Sequence, residues 1–238
     1  MNTVNINIVL DVDTVNRFWL RFLGMARPTH PKSENKSAKP YHHGDLRRAL
    51  LDEALRTIEA DGVEHLTLRT VGARLGVSRS ALYRHFADKQ SLLAAVGKEG
   101  FRKLQEAIAD AWEGNGRGRV GFEAMAKAYV QFAAAHPSHY RVMFGGFIES
   151  AAKDDHFIAE AKAAFQVLVD ALVDQQNAGN VRHDDPVLMA RFAWALVHGT
   201  AMLVIDGQLP GAAQREALEQ YSAERIYASI RQETLQAG

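Results

Sequence analysis

An all-α chain in two parts, a small head of three helices and a larger helical body, is what three features of these 238 residues point to. From His43 onward the apolar residues recur at the i, i+3, i+4 and i+7 spacing of amphipathic helices. The glycine-rich stretch Gly114-Asn-Gly-Arg-Gly-Arg-Val-Gly121 interrupts that pattern near the middle. The charge divides at the same place. Residues 1–117 hold 18 Lys and Arg against 14 Asp and Glu, leaving 10 against 14 for residues 118–238, although the total is balanced at 28 and 28. A basic half and an acidic half suit a protein with only one end turned to a polyanion.

Composition excludes other classes. A hydrophobic share of 47% with 24% charged residues is that of an ordinary globular chain. With no cysteine there is no disulfide or thiol chemistry, which fits a reducing cytoplasm. The longest apolar run, Phe192 to Ile205, is interrupted by His198, Gly199 and Thr200 and reads as too short for a membrane span. No basic residue precedes the apolar N-terminus, so a secretory signal is not expected.

The elements follow in order. Val4, Ile6, Ile8, Leu10 and Val12 alternate with polar residues like a strand, and Val15, Phe18, Trp19 and Phe22 share a helical face. Either this is an extension docking on the body, or the functional chain starts at Met25; the second reading is preferred. Arg27 to Lys39 is a flexible basic arm, so residues 1–39 are set apart from the folded parts. His43 to Ala60 is a helix with Leu46, Leu50, Leu51, Ala54, Leu55 and Ile58 inward, ended by Asp61-Gly62.

In the next stretch Leu68, Val71 and Leu75 mark the buried face of a short helix. Gly76 stops it, because glycine enters the left-handed region freely. Val77 plugs the turn and Ser78 caps a second helix, whose Leu82 and Phe86 face inward. Arg79, Ser80, Tyr83 and Arg84 are left outside. Two short helices with a glycine turn and a polar outer face form a helix-turn-helix, whose second helix enters the major groove. No acid lies between Glu64 and Asp88, whereas Arg69, Arg74, Arg79 and Arg84 all do, and a phosphate-rich partner favours that. Asp88 caps a third helix, with Lys89 in its first turn placed for a phosphate.

The run TLRTVGARLGVSRSALYRHFADKQSLL resembles the DNA-binding signature of TetR-type transcriptional regulators, and YHHGDLRRALLDEAL from Tyr41 resembles the helix before it. Gly72 stands where that pattern has alanine, a departure expected to loosen the first helix of the motif. The resemblance and the outward face together assign DNA contacts to Thr67, Ser78, Arg79, Ser80, Tyr83, Arg84, His85 and Lys89. Arg79 and Ser80 are expected on base edges, and Tyr83, Arg84 and Lys89 on the backbone.

Past a connecting helix over residues 91–112, the hinge carries Gly116-x-Gly118-x-x-Gly121, formally a dinucleotide fingerprint. A helix rather than a strand precedes it and the spaced acid is missing, so that reading is set aside. The body, residues 113–238, is helical throughout. Phe122, Met125, Tyr129 and Phe132 line one helix, and Tyr140, Met143, Phe144 and Phe147 a short one. Phe157, Ala161, Phe165, Leu168 and Leu172 line a long one. Asp184 or Asp185 caps a helix opened by Pro186 and apolar nearly all round to Ile205, which must be buried on several sides. An amphipathic helix from Ala212 to Leu235 closes the chain. Trp194-x-x-x-His198-Gly199 resembles a signature in the C-terminal domain of one TetR subgroup.

Adjacent His42-His43 and Asp154-Asp155-His156 lack metal-ligand spacing, and no nucleophile elbow or phosphate loop appears. No catalytic residue, metal or cofactor is expected. The expectation is a head over residues 40–90 that binds a palindromic double-stranded DNA operator, on a homodimeric cytoplasmic repressor without membrane contact. A small apolar ligand would sit among Tyr129, Phe132, Tyr140, Phe144, Phe165, Trp194 and His198. Helix Pro186–Ile205 and the face Ala223, Ile226, Tyr227 and Ile230 would join the two subunits. The alternative is a DNA-binding architectural or interaction protein without a ligand, which a solid core in the body would favour.

Overall fold

The structure is a computed structural model that describes residues 46–148, 155–209 and 211–232. The strand-like and helical patterns before Met25, and the basic arm, lie outside the described residues.

The described residues form helices only, apart from one isolated bridge. These are α1 (Leu46–Asp61), α2 (Leu68–Arg74), α3 (Arg79–Tyr83), α4 (Lys89–Gly114), α5 (Arg119–Ala135), α6 (Pro137–Phe144), α7 (Asp155–Asn177), α8 (Pro186–Ile205) and α9 (Ala212–Ile230). Helix α4 is the spine. At 26 residues it runs about 39 Å, given a rise of 1.5 Å per residue. Its start is fixed by a reciprocal cap: Ser91 N–H donates to Asp88 at 2.7 Å, and Asp88 N–H to the Ser91 hydroxyl at 3.1 Å. The amino half of α4 gives Leu92, Leu93 and Val96 to the head core, with Leu50, Leu51, Ile58, Leu66, Val71, Leu82 and Phe86. Its carboxyl half gives Phe101, Leu104, Ile108 and Trp112 to the body core. Each large apolar side chain so buried stabilises the fold by about 1.5–3 kcal/mol.

Two short pieces tie the halves together. Helix α6 places Tyr140, Met143 and Phe144 in the body core but Val142 in the head core. Beside it, the nearly buried Glu99 of α4 meets Arg48 of α1 at 2.8 Å, Lys103 at 2.8 Å and His139 of α6 at 3.5 Å. Burial alone would raise the Glu99 carboxyl, but Lys103 and Arg48 outweigh it and hold it below the usual carboxylate range. Gly97 and Gly100 on the same stretch let α7 and α6 approach closely. A Cβ at Gly97 would lie 2.5 Å from the Phe157 ring, and one at Gly100 would lie 2.5 Å from the Met143 sulfur.

The glycine hinge turns through Gly116 at φ 78° and Arg117 at φ 57°. Its last member, Gly121, serves packing: a Cβ there would come within 3.0 Å of the Trp112 carbonyl oxygen.

Three expectations are corrected. The last helix ends at Ile230 rather than Leu235, because the chain turns to pair with residues 180–182: Arg182 N–H donates to Ile230 O, and Gln232 N–H to Asn180 O. Ala223, Ile226, Tyr227 and Ile230 do not face outward; they are buried within the protomer, where Tyr227 meets Phe122 at 5.8 Å. The third concerns α8. Pro186 starts it a turn and a half before Phe192, so its 20 residues are long and apolar enough to cross a membrane by length and composition. One side of α8 is nevertheless packed in the body, with Ala190, Ala193, Val197, Ala201 and Val204 buried.

Candidate functional site

The head presents its polar face as its capping chemistry dictates. Thr67 caps α2, its hydroxyl accepting from Thr70 N–H at 3.0 Å, and Ser78 caps α3, accepting from Ala81 N–H at 3.2 Å. Both hydroxyls are therefore engaged in shaping the helix starts. Arg79, Ser80, Tyr83, Arg84 and His85 are all exposed, while Leu82 and Phe86 are buried. The Arg79 guanidinium lies 5.5 Å from the centre of the Tyr83 ring, one turn along α3. Arg84 is the C-cap of this five-residue helix, so it and His85 sit on the turn beyond it.

Two cations differ from expectation. The Lys89 ammonium donates to Val63 O at 2.9 Å and Glu64 O at 3.1 Å, so two of its three N–H groups already hold the first part of the α1–α2 loop. Arg74 is exposed but already engaged; its guanidinium donates to Thr57 at 3.1 Å and Asp61 at 2.8 Å, fastening α2 to α1. In exchange the structure adds a cation that sequence reasoning missed. Arg47 of α1 stands exposed over the Phe86 ring at 5.1 Å, beside the end of the outward helix.

Gly72 is also not a loosening feature. It is buried, and a Cβ there would lie 2.7 Å from the Leu82 methyl, so glycine allows α3 to settle against α2. Gly72→Ala gains about 1 kcal/mol of helix propensity but overpacks a site where Leu82 is 2% exposed, at a cost of about 1–3 kcal/mol. A net loss of about 1 kcal/mol is expected in urea unfolding; a gain would show that Leu82 has room to move.

In the body, six of the seven expected pocket residues come together. Trp194 Nε1–H donates to Tyr129 Oη at 3.0 Å, the two tyrosine hydroxyls are 3.0 Å apart, and His198 Nδ1 lies 2.6 Å from Tyr140 Oη. Phe144 meets the His198 ring at 4.9 Å and Tyr140 at 4.8 Å, and Phe165 meets Trp194 edge-on at 6.5 Å. Phe132 is the exception. Turned from Tyr129 by about 60° around α5, it packs on His136 at 5.1 Å and lines a shallow groove between α4 and α5. The rings of the cluster touch one another, while two open surface depressions lie elsewhere, between α4 and α5 and beside the amino end of α8.

Burial lowers His198 to about 4 and His139, also near Lys103, to about 4. Both are neutral in the folded protein near pH 7, whereas the unfolded chain takes up these protons near pH 6.5. Stability is therefore fully present above that pH and is lost as pH falls from about 6.5 towards 4, by up to about 1.4 kcal/mol per pH unit for each histidine. Urea unfolding at pH 7 and pH 5 checks this. His139→Gln and His198→Gln should each flatten the dependence, and an unchanged slope in both would assign it to other groups.

This geometry has relatives. The family profile described as "Bacterial regulatory proteins, tetR family" matches residues 50–96, the span of the capped helix pair and the start of α4. A second, "Tetracyclin repressor-like, C-terminal domain", matches residues 122–226. The chain belongs to the TetR family. Among other TetR proteins, it is 33% identical over 64 residues to the transcriptional repressor AcnR of Corynebacterium diphtheriae, covering 27% of this chain and 34% of that one. It is 34% identical over 71 residues to the nicotine-responsive repressor HdnoR of Paenarthrobacter nicotinovorans, covering 30% of this chain and 37% of that one. The matched stretch thus spans about a third of these relatives' length. A protein of unknown function from Rhodococcus sp. RHA1 superposes with a TM-score of 0.72 at 35% identity, over 82% of this chain and 100% of that one. The TetR regulator PfmR of Thermus thermophilus shares the fold, with a TM-score of 0.62 at 20% identity over 75% of this chain and 97% of that one.

Proposed function

We propose that the protein is a cytoplasmic homodimeric repressor that grips a palindromic operator with two heads and releases it when a small ligand enters the aromatic cluster. The observation carrying the two-headed part is the surface of α8. Of nine exposed large hydrophobic side chains among the described residues, six lie on α8 and a seventh, Tyr221, on α9. Leu188, Phe192, Leu196 and Leu203 form one stripe at helical spacing, with Gly199 on the same face and no described protomer atom within 4 Å of where its Cβ would be. A second copy that lays the same stripe against it makes an isologous interface of about 2,000 Å² or more.

Arg79 and Ser80 read bases in this assignment, while Tyr83, Arg84, His85 and the exposed capping residues Thr67 and Ser78 position the backbone. Lys89 has one N–H left for a phosphate. Because it also holds the α1–α2 loop, Lys89→Ala should lower the melting temperature as well as the salt dependence of binding. A variant that loses binding with unaltered melting would leave Lys89 a phosphate contact alone.

Ligand release has its route in α6, which carries Tyr140 and Phe144 in the cluster and His139 and Val142 at the head. Two heads must sit about 34 Å apart, so a small rotation of α4 defeats joint binding. A second reading, DNA binding without a ligand, is favoured by the closed packing of the cluster, whose polar tips satisfy one another. Selection of bound fragments from random DNA, followed by titration of the selected operator with and without small aromatic molecules, separates the two. Selected sites without two-fold symmetry would sink the two-headed reading.

A further inference from the structure

We propose that the ligand of the aromatic cluster is an uncharged, ring-bearing molecule with a single hydroxyl or carbonyl oxygen, which inserts into the hydrogen-bond chain Trp194–Tyr129–Tyr140–His198. This rests on the ligand-responsive reading above.

The direction of the chain is fixed at its Trp194 end. Trp194 can only donate, so its N–H gives to Tyr129 Oη at 3.0 Å. The hydroxyls of Tyr129 and Tyr140 share a hydrogen bond at 3.0 Å, and His198 Nδ1 faces both of them, 2.6 Å from Tyr140 Oη and 3.1 Å from Tyr129 Oη. With Nδ1 unprotonated, the indole N–H and the two hydroxyl protons all meet acceptors within this group. An entering hydroxyl replaces a link by accepting from one neighbour and donating to the next, and a carbonyl replaces the acceptor of the Trp194 N–H. Either leaves no buried polar group unpaired, the condition that keeps the cost of such an exchange low.

A formal charge finds no such match. The site resists both signs: burial depresses His198 and pushes the Tyr129 and Tyr140 hydroxyls well up. A carboxylate would need a cation. On α8 that is Arg191, whose Nε is sealed without a hydrogen-bond partner among the described residues. Helical side chains lean towards the amino end, however, which takes Arg191 towards Val187 and Leu188 and away from His198. An ammonium would need open ring faces. Here rings meet edge to face, Tyr129 on Tyr140 at 86°, Phe144 on His198 at 75° and Phe165 on Trp194 at 77°, so neighbouring edges cover them.

Three probes sharing one ring system test this on the full chain at pH 7: 2-naphthol, 2-naphthoate and (2-naphthylmethyl)trimethylammonium. Binding is read by calorimetry and operator release by fluorescence anisotropy of a selected DNA fragment. The expected result is that 2-naphthol binds at least tenfold tighter than either charged probe. Tyr140→Phe should weaken it at least fivefold, and His198→Asn likewise, provided circular dichroism shows each variant folded; Tyr129→Phe replaces whichever fails to fold. Quenching of tryptophan emission by 2-naphthol should shrink in Trp194→Phe although Trp19 and Trp112 remain. Equal or tighter binding of 2-naphthoate, abolished by Arg191→Gln, would overturn the inference in favour of an acidic ligand. Preference for the ammonium, or no binding of any probe at 1 mM, overturns it as well. If 2-naphthol binds with these variant effects but leaves operator affinity unchanged, the inference stands and the ligand-released reading falls.

Discussion

Replacing Leu196 by glutamate should separate the protein into monomers that hold operator DNA only weakly. Leu196 is 42% exposed near the middle of the α8 stripe, flanked by Phe192 at 47% and by Gly199. In an isologous interface a central residue lies close to its own copy. The substitution therefore buries two like charges side by side, each lacking a partner, and an unpaired buried charge costs several kcal/mol. Within the protomer the exposed side chain leaves room for the change. The dimer dissociation constant should rise at least about 1,000-fold, since two such penalties exceed the roughly 4.1 kcal/mol that factor represents. Operator affinity should then fall by about 10²–10⁴, the gain that linking two heads provides. Sedimentation velocity and salt-matched DNA titration measure both, with Val120→Glu as control, because Val120 is 64% exposed on α5 away from the stripe. A Leu196→Glu protein that remains dimeric at micromolar concentration would remove α8 from the interface.

Local chemistry was readable in the sequence, and pairing across elements was not. Ser78, Asp88 and Asp185 cap the helices they precede, since a cap depends only on the residues that follow it. Leu82, Phe86, Leu92 and Leu93 are buried as their spacing requires. The adjacent Arg47 and Arg48 are equivalent in a sequence, yet one lies over Phe86 and the other binds Asp52 and Glu99, 51 positions away. Arg74 counted in the basic run as a cation open to phosphate for the same reason: its partners Thr57 and Asp61 belong to another helix. Gly72 looked like a weakness because only the position of Leu82 reveals the missing Cβ as room for packing. The apolar face of α9 was legible as a face, but not which neighbour covers it; it is sealed inside the protomer, while Tyr221 stays outside. In the aromatic cluster, the helical spacing of Trp194 and His198 put them on one side of α8. Phe132 was included for being aromatic on the right helix, and its offset of about 60° from Tyr129 carried it elsewhere.

At the operator, Arg79→Ala and Arg84→Ala should fail in different ways. Arg79 opens α3 directly after the Ser78 cap, where residues of a recognition helix reach base edges. A guanidinium there can donate two parallel bonds to guanine O6 and N7, worth about 1–3 kcal/mol of discrimination in each half-site. Its stacking on Tyr83 at 5.5 Å adds a second consequence. The ring restricts the guanidinium before DNA arrives, so less side-chain entropy remains to be lost on binding. Tyr83→Phe keeps the ring and should lower affinity evenly across sequences through the lost hydroxyl. Tyr83→Ala frees Arg79 and should also relax the base preference. Arg84, on the turn past the helix, should lose affinity equally on every sequence and flatten the salt dependence by about one unit per subunit. The measurement is a titration of the four proteins against the selected operator and its symmetric single-base variants at two salt concentrations. Loss of preference at one symmetric base pair for Arg79→Ala, partly shared by Tyr83→Ala and absent from Tyr83→Phe, is the pattern that base readout by a pre-stacked arginine demands. Sequence-independent losses in all four would place Arg79 on the phosphates beside Arg84.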